Sequence, residues 1–149
     1  MISKKISDTR KLARDLARSR IKSGMTGVRV YALVGDLGSG KTTFTQAFLR
    51  VLGARGRITS PTFVLIKNYE TARKHENKKT RKQLFHIDAY RINKASELVE
   101  LGFKEILNDK NNIILIEWAD KVKKLIPKSA QWIYFEHGTK SNERIIKIK

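Results

Sequence analysis

The stretch GDLGSGKTT, Gly35 to Thr43, decides how this chain of 149 residues is read. Gly35 to Thr42 fits the pattern G-x-x-x-x-G-K-[ST] at every fixed position. Gly35, Gly38 and Gly40 let the backbone curl so that several N–H groups point inward at phosphate oxygens. The helix beginning near Lys41 adds the positive end of its dipole. Lys41 has the reach for β- and γ-phosphates, and the Thr42 hydroxyl is placed to ligate Mg2+. The flanks supply the context such a loop needs. Val28 to Val34 alternates and is β-rich, and Thr42 to Leu52 has helical periodicity closed by Gly53.

A phosphate loop alone hydrolyses nothing: Mg2+ needs an acidic anchor and a water needs positioning. The run IILIE, Ile113 to Glu117, reads as a buried parallel strand that presents Glu117 at its C-terminal edge, where open α/β sheets bind ligands. Glu117 is therefore the candidate anchor. Asp88, in HIDAY, is the second acid. Strand alternation places it on one face with His86 and Tyr90. Two readings of Asp88 stand open: it orients a water or holds Mg2+ through one, or it caps a turn and pairs with Arg91. His86 lacks partners in the sequence and reads as an orienting or core histidine. In SPTF, Ser60 to Phe63, Thr62 resembles the threonine that nucleotide switches bring to Mg2+ or the γ-phosphate. A simple turn with Pro at its second position explains the same four residues.

The remaining pattern predicts one α/β domain over residues 1–149. Residues 6–22 read as an amphipathic helix carrying Leu12, Leu16 and Ile21, capped by Ser7 or Asp8. Phe63 to Tyr69, LFHIDAY, NNIILIEW, QWIYFEH and RIIKIK read as strands, and SELVELGFKEIL as a helix interrupted at Gly102. TARKHENKKTRKQ reads as a solvated hairpin tip or loop. The sheet is expected to start with crossovers and end in antiparallel strands.

The chain has no cysteine, which excludes disulfides and thiolate chemistry. Its three histidines, His75, His86 and His137, are not spaced as a zinc cluster. No apolar run approaches a membrane span, no secretory h-region is present, and a cytoplasmic protein is expected. Lys plus Arg is 32 against 14 acids, a net charge of +18. That balance favours polyanionic partners, or reflects a lysine-rich composition with no partner implied.

Taken together, GDLGSGKTTF, SPTF, HIDAYR, the ELGF of Glu100 to Phe103 and the IEW that ends in Glu117 and Trp118 resemble the TsaE family in order and spacing. T-x-x-L-A-x-x-L-A, Thr9 to Ala17, and the closing RIIKI are also similar. The resemblance covers nearly the whole chain. It implies a P-loop NTPase-like three-layer α/β fold, a mixed sheet with a parallel core and antiparallel C-terminal strands. It also implies binding of ATP or ADP with Mg2+, slow ATP hydrolysis, and action with the TsaD–TsaB pair that threonylcarbamoylates adenosine 37 of tRNA. By the same resemblance Gly38, Ser39, Gly40, Lys41, Thr42 and Thr43 match the phosphate-binding loop, and Gly35 and Asp36 at its start are expected among the nucleotide-binding residues. Thr42 and Glu117 match the Mg2+ positions, Asp88 an acid essential for activity, Thr9 a position near the base, and Trp118 an aromatic beside the site. Thr62 gains weight in the same way. Arg73 to Lys82 match no family motif; contact with tRNA, directly or through the complex, is an open expectation.

Two other classes compete. A small-molecule kinase on the same fold needs an acceptor pocket and an Arg-bearing lid. A nucleotide-switched nucleic-acid-binding protein suits the charge, although residues 71–82 interleave no aromatics with their basic run.

Overall fold

The sheet is built around the phosphate-loop strand. In the computed structural model, which describes residues 1–24, 29–61, 63–71 and 83–149, seven strands are ordered β1-β7-β6-β2-β5-β4-β3. They are β1 (Ile2–Ser3), β2 (Val30–Gly35), β3 (Ile66–Tyr69), β4 (Leu84–Asp88), β5 (Ile113–Glu117), β6 (Gln131–His137) and β7 (Arg144–Ile148). β2 lies between β5 and β6 and runs parallel to both, and β4 runs parallel to β5. The antiparallel pairs lie outside this core: β6 with β7 and β1 with β7 at one edge, β3 with β4 at the other. The parallel core and antiparallel C-terminal strands are as expected. The antiparallel β3 and the short β1 extend the mixed character to both edges.

Alternation along β2 builds three layers. Tyr31 and Leu33 point into a core shared with Ala13 and Ala17 of α1 (Ile6–Lys22) and Phe44, Phe48 and Leu49 of α2 (Lys41–Val51). Val30 and Ala32 point the other way. There they meet Leu98 of α3 (Ala95–Glu100), Phe103 of α4 (Phe103–Asn108) and Val122 of a 3-10 helix over Ala119–Leu125. The small side chains Ala13 and Ala17, fully buried, let α1 lie close against α2. Among the described residues no helix is long and apolar enough to cross a membrane.

Several boundaries differ from the expectation. α1 starts after Lys5 with no side-chain cap, so neither Ser7 nor Asp8 is the N-cap. The Asp8 carboxylate instead accepts the Lys4 N–H at 3.0 Å from inside the first turn. Of the segment Phe63 to Tyr69, only Ile66–Tyr69 pairs as a strand. Residues 63–65 turn, with the Val64 and Leu65 N–H groups donating to the Pro61 carbonyl. The interruption at Gly102 is real: it takes φ 85° between α3 and α4, a conformation that suits glycine. Thr62 and the basic segment from Arg73 to Lys82 lie outside the described residues.

Candidate functional site

The C-terminal ends of the parallel strands converge on the loop from Gly35 to Gly40. Gly35 pairs with Phe135 of β6, and a Cβ at Gly35 would fall 2.3 Å from the Phe135 carbonyl oxygen, so only glycine lets β2 and β6 approach here. Gly38, at φ +72°, would put a Cβ into open space with no atom within 4 Å. One glycine is thus required by sheet packing, the other by the turn of the loop. Lys41 folds back over this turn. Its ammonium donates to the carbonyls of Gly35 (2.5 Å) and Asp36 (2.9 Å), and lies 3.5 Å from the Ser39 hydroxyl. It also sits 3.9 Å above the Trp118 ring. Burial pushes the Lys41 pKa down, opposed by the charges of Glu117, Asp88, Asp36 and Asp120.

Two acids close the site. Asp88 and Glu117 are cross-strand partners at the ends of β4 and β5. The Thr42 hydroxyl donates to Glu117 Oε2 at 2.7 Å, and His86 Nε2 lies 2.8 Å from Glu117 Oε1. An ionised carboxylate only accepts, so Nε2 carries the His86 proton; Nδ1 is buried without a partner among the described residues. The sequence leaves His86 unpartnered; the sheet supplies its partner, because residue 86 on β4 and residue 117 on the next strand share a face. Asp88 is held differently. Its Oδ2 accepts from the Ser60 hydroxyl at 2.7 Å and its Oδ1 from the Tyr90 N–H at 3.0 Å. Asp88 thus caps the turn at Tyr90, as one of the two readings had it, while among the described residues Arg91 forms no ion pair with it and its guanidinium lies over the Phe63 ring at 4.8 Å.

Trp118 follows Glu117 at φ 58°, a left-handed conformation that is an outlier for a bulky residue. The turn aims its ring back at the site, where it meets Lys41 and, at 5.0 Å, the Tyr90 ring. Tyr90 lies beyond the end of β4, and Lys121 holds its carbonyl.

Two adjoining cavities flank the loop. One, of about 400 Å³, is lined by residues 37–43 with Ser60, Asp88, Tyr90, Glu117 and Trp118. The other, of about 600 Å³, shares Gly38, Gly40 and Thr43 with it and adds Ser3, Lys5, Thr9, Asn142 and Arg144. Thr9 reaches this wall through a 2.9 Å hydrogen bond to the Ser3 hydroxyl. The structure therefore brings Thr9, the loop residues 35–43, Asp88, Glu117 and Trp118 to one edge of the sheet. The sequence reading missed Ser3, Ser60, Tyr90, His137 and Arg144. Ser60 and Tyr90 lie within stretches already singled out. His137 and Arg144 carry no local signal: they pair across β6 and β7, and from there Arg144 donates twice to the Gly38 carbonyl (3.1 and 3.0 Å). His137 Nε2 lies 3.2 Å from the Leu37 carbonyl.

Fold and site define a P-loop NTPase-like α/β protein. A family model described as "Threonylcarbamoyl adenosine biosynthesis protein TsaE" matches residues 3–146, and the chain belongs to that family. Relatives named "tRNA threonylcarbamoyladenosine biosynthesis protein TsaE" include that of Rickettsia felis, 38% identical over 120 residues, 80% of this chain and 61% of the relative. That of Haemophilus influenzae is 36% identical over 102 residues, 68% of this chain and 58% of the relative. The chain thus spans about three-fifths of the length of these curated relatives. The structure is similar to the crystal structure of Bacillus subtilis YdiB, with a TM-score of 0.70 and 26% identity, covering 99% of this chain and 82% of that one.

Proposed function

We propose that this chain is a weak, Mg2+-dependent ATPase of the cytoplasm that drives the cycle of the TsaD–TsaB transferase in threonylcarbamoylation of tRNA adenosine 37. The observation that carries the reading is the pairing of the Thr42 hydroxyl with Glu117 Oε2 at 2.7 Å, directly beside the glycine loop and Lys41. Two hard oxygens at the rim of a phosphate-sized turn fit Mg2+, which takes one or two protein oxygens and completes its shell with phosphate and water. Among the described residues no cluster of three or more His, Cys, Asp or Glu side chains forms an all-protein metal cage, so this oxygen pair is the relevant donor set. Thr42 and Glu117 would hold the ion, whose chemistry is to neutralise charge on the phosphate oxygens.

The other residues take roles that follow from position. Lys41 supplies a fixed positive charge above the loop, desolvated by its surroundings and oriented by the Trp118 face. Asp88, on the same edge, orients the attacking water, and Ser60 and Tyr90 set the direction of its carboxylate for that task. The second cavity, with Thr9 and the Ser3 hydroxyl, is the side on which the base and ribose of ATP or ADP would lie.

The test is multi-turnover formation of threonylcarbamoyladenosine on tRNA by the cognate TsaD–TsaB pair. It is run with this protein, without it, and with Glu117→Ala. Product that accumulates beyond one turnover only with the wild-type protein is the expected result. Product indifferent to the protein, from an otherwise active pair, would refute the accessory role.

A further inference from the structure

The charge of +18 is not spread evenly by residue type. The chain has 20 lysines and 12 arginines. Up to residue 60 there are eight arginines and five lysines; from residue 101 onward there is one arginine and there are nine lysines. The arginines of the first part meet in space. Arg10 and Arg14 stand one turn apart on α1, Arg50 stands on α2, and Arg57 follows α2. All four line a groove of about 320 Å³ whose floor includes Ala47, Val51 and Ile58. The loop that carries Arg57 is pinned there by Gln46, whose side-chain amide donates to the Ile58 carbonyl at 3.0 Å. No carboxylate lines the groove, and none of its four arginines takes part in an ion pair among the described residues.

A uniform lysine excess would not produce this. Every cation lining the groove is arginine, drawn from the part of the chain in which arginine outnumbers lysine. Arginine presents a planar fork that grips phosphate bidentately and stacks on bases, whereas lysine is a hydrated point charge. An apolar floor between such forks suits sugar and base edges. A high net charge acts at range most strongly on a polyanion of continuous charge. We infer that the α1–α2 groove is an RNA-binding surface, with Arg10, Arg14, Arg50 and Arg57 on the phosphodiester backbone. It lies on the helical face of the sheet built by α1 and α2, and its use does not depend on the ATPase reading.

The experiment is fluorescence anisotropy with a labelled, unmodified tRNA transcript, without nucleotide, between roughly 50 and 200 mM salt, the range over which phosphate contacts register. Arg10→Gln/Arg50→Gln/Arg57→Gln is compared with Lys104→Gln/Lys123→Gln/Lys124→Gln, which removes the same charge from the opposite face of the sheet. The groove variant is expected to weaken binding by on the order of tenfold or more and to flatten the salt slope by about 2–3. The lysine variant is expected to stay near wild type. Equal losses in both would show that only net charge matters and would overturn the proposal. So would an unaffected groove variant, or groove-dependent binding of poly-L-glutamate as tight as that of tRNA, which would mark an acidic-protein surface. If the triple variant melts at the assay temperature, Arg50→Gln and Arg57→Gln singly, both at exposed positions, should each lower the slope by about 1, and unchanged slopes overturn the idea.

Discussion

Asp88 and Glu117 end neighbouring parallel strands, pair directly across the sheet and are both buried, yet the fold holds them in different ways. Glu117 is gripped by two side chains from two other elements of the core, His86 on β4 and Thr42 on α2. Asp88 is gripped by the N–H of its own turn at Tyr90 and by Ser60, which belongs to the irregular segment after α2. The first arrangement moves only if the sheet and α2 move. The second shifts with a loop. A fixed carboxylate suits a metal post, and a carboxylate tied to a loop suits a group whose alignment changes with the state of the site.

The largest effect should come from Glu117→Ala. If Glu117 anchors Mg2+ as proposed, its loss should cost several kcal/mol of transition-state stabilisation, on the order of a hundredfold or more in ATP turnover. Nucleotide affinity, measured by calorimetry, should change far less, while Lys41→Ala should weaken that affinity directly. Asp88→Asn should follow, with turnover down by about ten- to a hundredfold. A Mg2+ titration separates the acids. The midpoint for activity should rise in Glu117→Gln and stay put in Asp88→Asn. Equal midpoints in the two variants would erase the distinction drawn here.

What the sequence revealed of this comparison depended on the range of each contact. The glycine loop, its strand and its helix are local, so periodicity and one pattern suffice to read them. Glu117 was legible because an acid ending an apolar run marks a strand edge. That His86 serves Glu117 was not legible: it depends on β4 lying beside β5, a pairing of residues 31 positions apart. The bracing of Gly38 by Arg144 spans 106 positions and leaves no trace in local pattern. The left-handed turn at Trp118 was hidden for another reason, since propensity argues against a tryptophan at positive φ and only the surrounding contacts impose it. Small errors at α1 have the same origin: Ser7 and Asp8 are good caps, but β1 pairing with β7 sets where the chain enters the helix.

His86 sharpens the contrast from the side of stability. His86→Ala leaves Glu117 Oε1 buried without its donor, which should cost about 1–3 kcal/mol. For a chain of this size that is a fall of several degrees in Tm, at roughly 2–4 °C per kcal/mol. His86→Gln, which can still donate, should recover part of the loss. A variant as stable as the wild type would mean that Glu117 needs no grip from β4.

Ser60→Ala should have the smallest effect, and its size tests the comparison most closely. The substitution removes one hydroxyl donor from Asp88 Oδ2 while the Tyr90 N–H stays on Oδ1. A net hydrogen bond of this kind contributes about 0.5–1.5 kcal/mol, so Tm should move by only a few degrees. Turnover should fall severalfold, because Asp88 keeps its place on the strand but loses the contact that couples it to the loop. The corresponding change on the other acid, Thr42→Val, removes a donor from Glu117 Oε2 and an oxygen beside it, and should raise the Mg2+ midpoint. Ser60→Ala should leave that midpoint unchanged. If Ser60→Ala instead shifted the Mg2+ midpoint as Thr42→Val does, the two carboxylates would act as one unit, and Asp88 would belong to the metal post instead of to the loop.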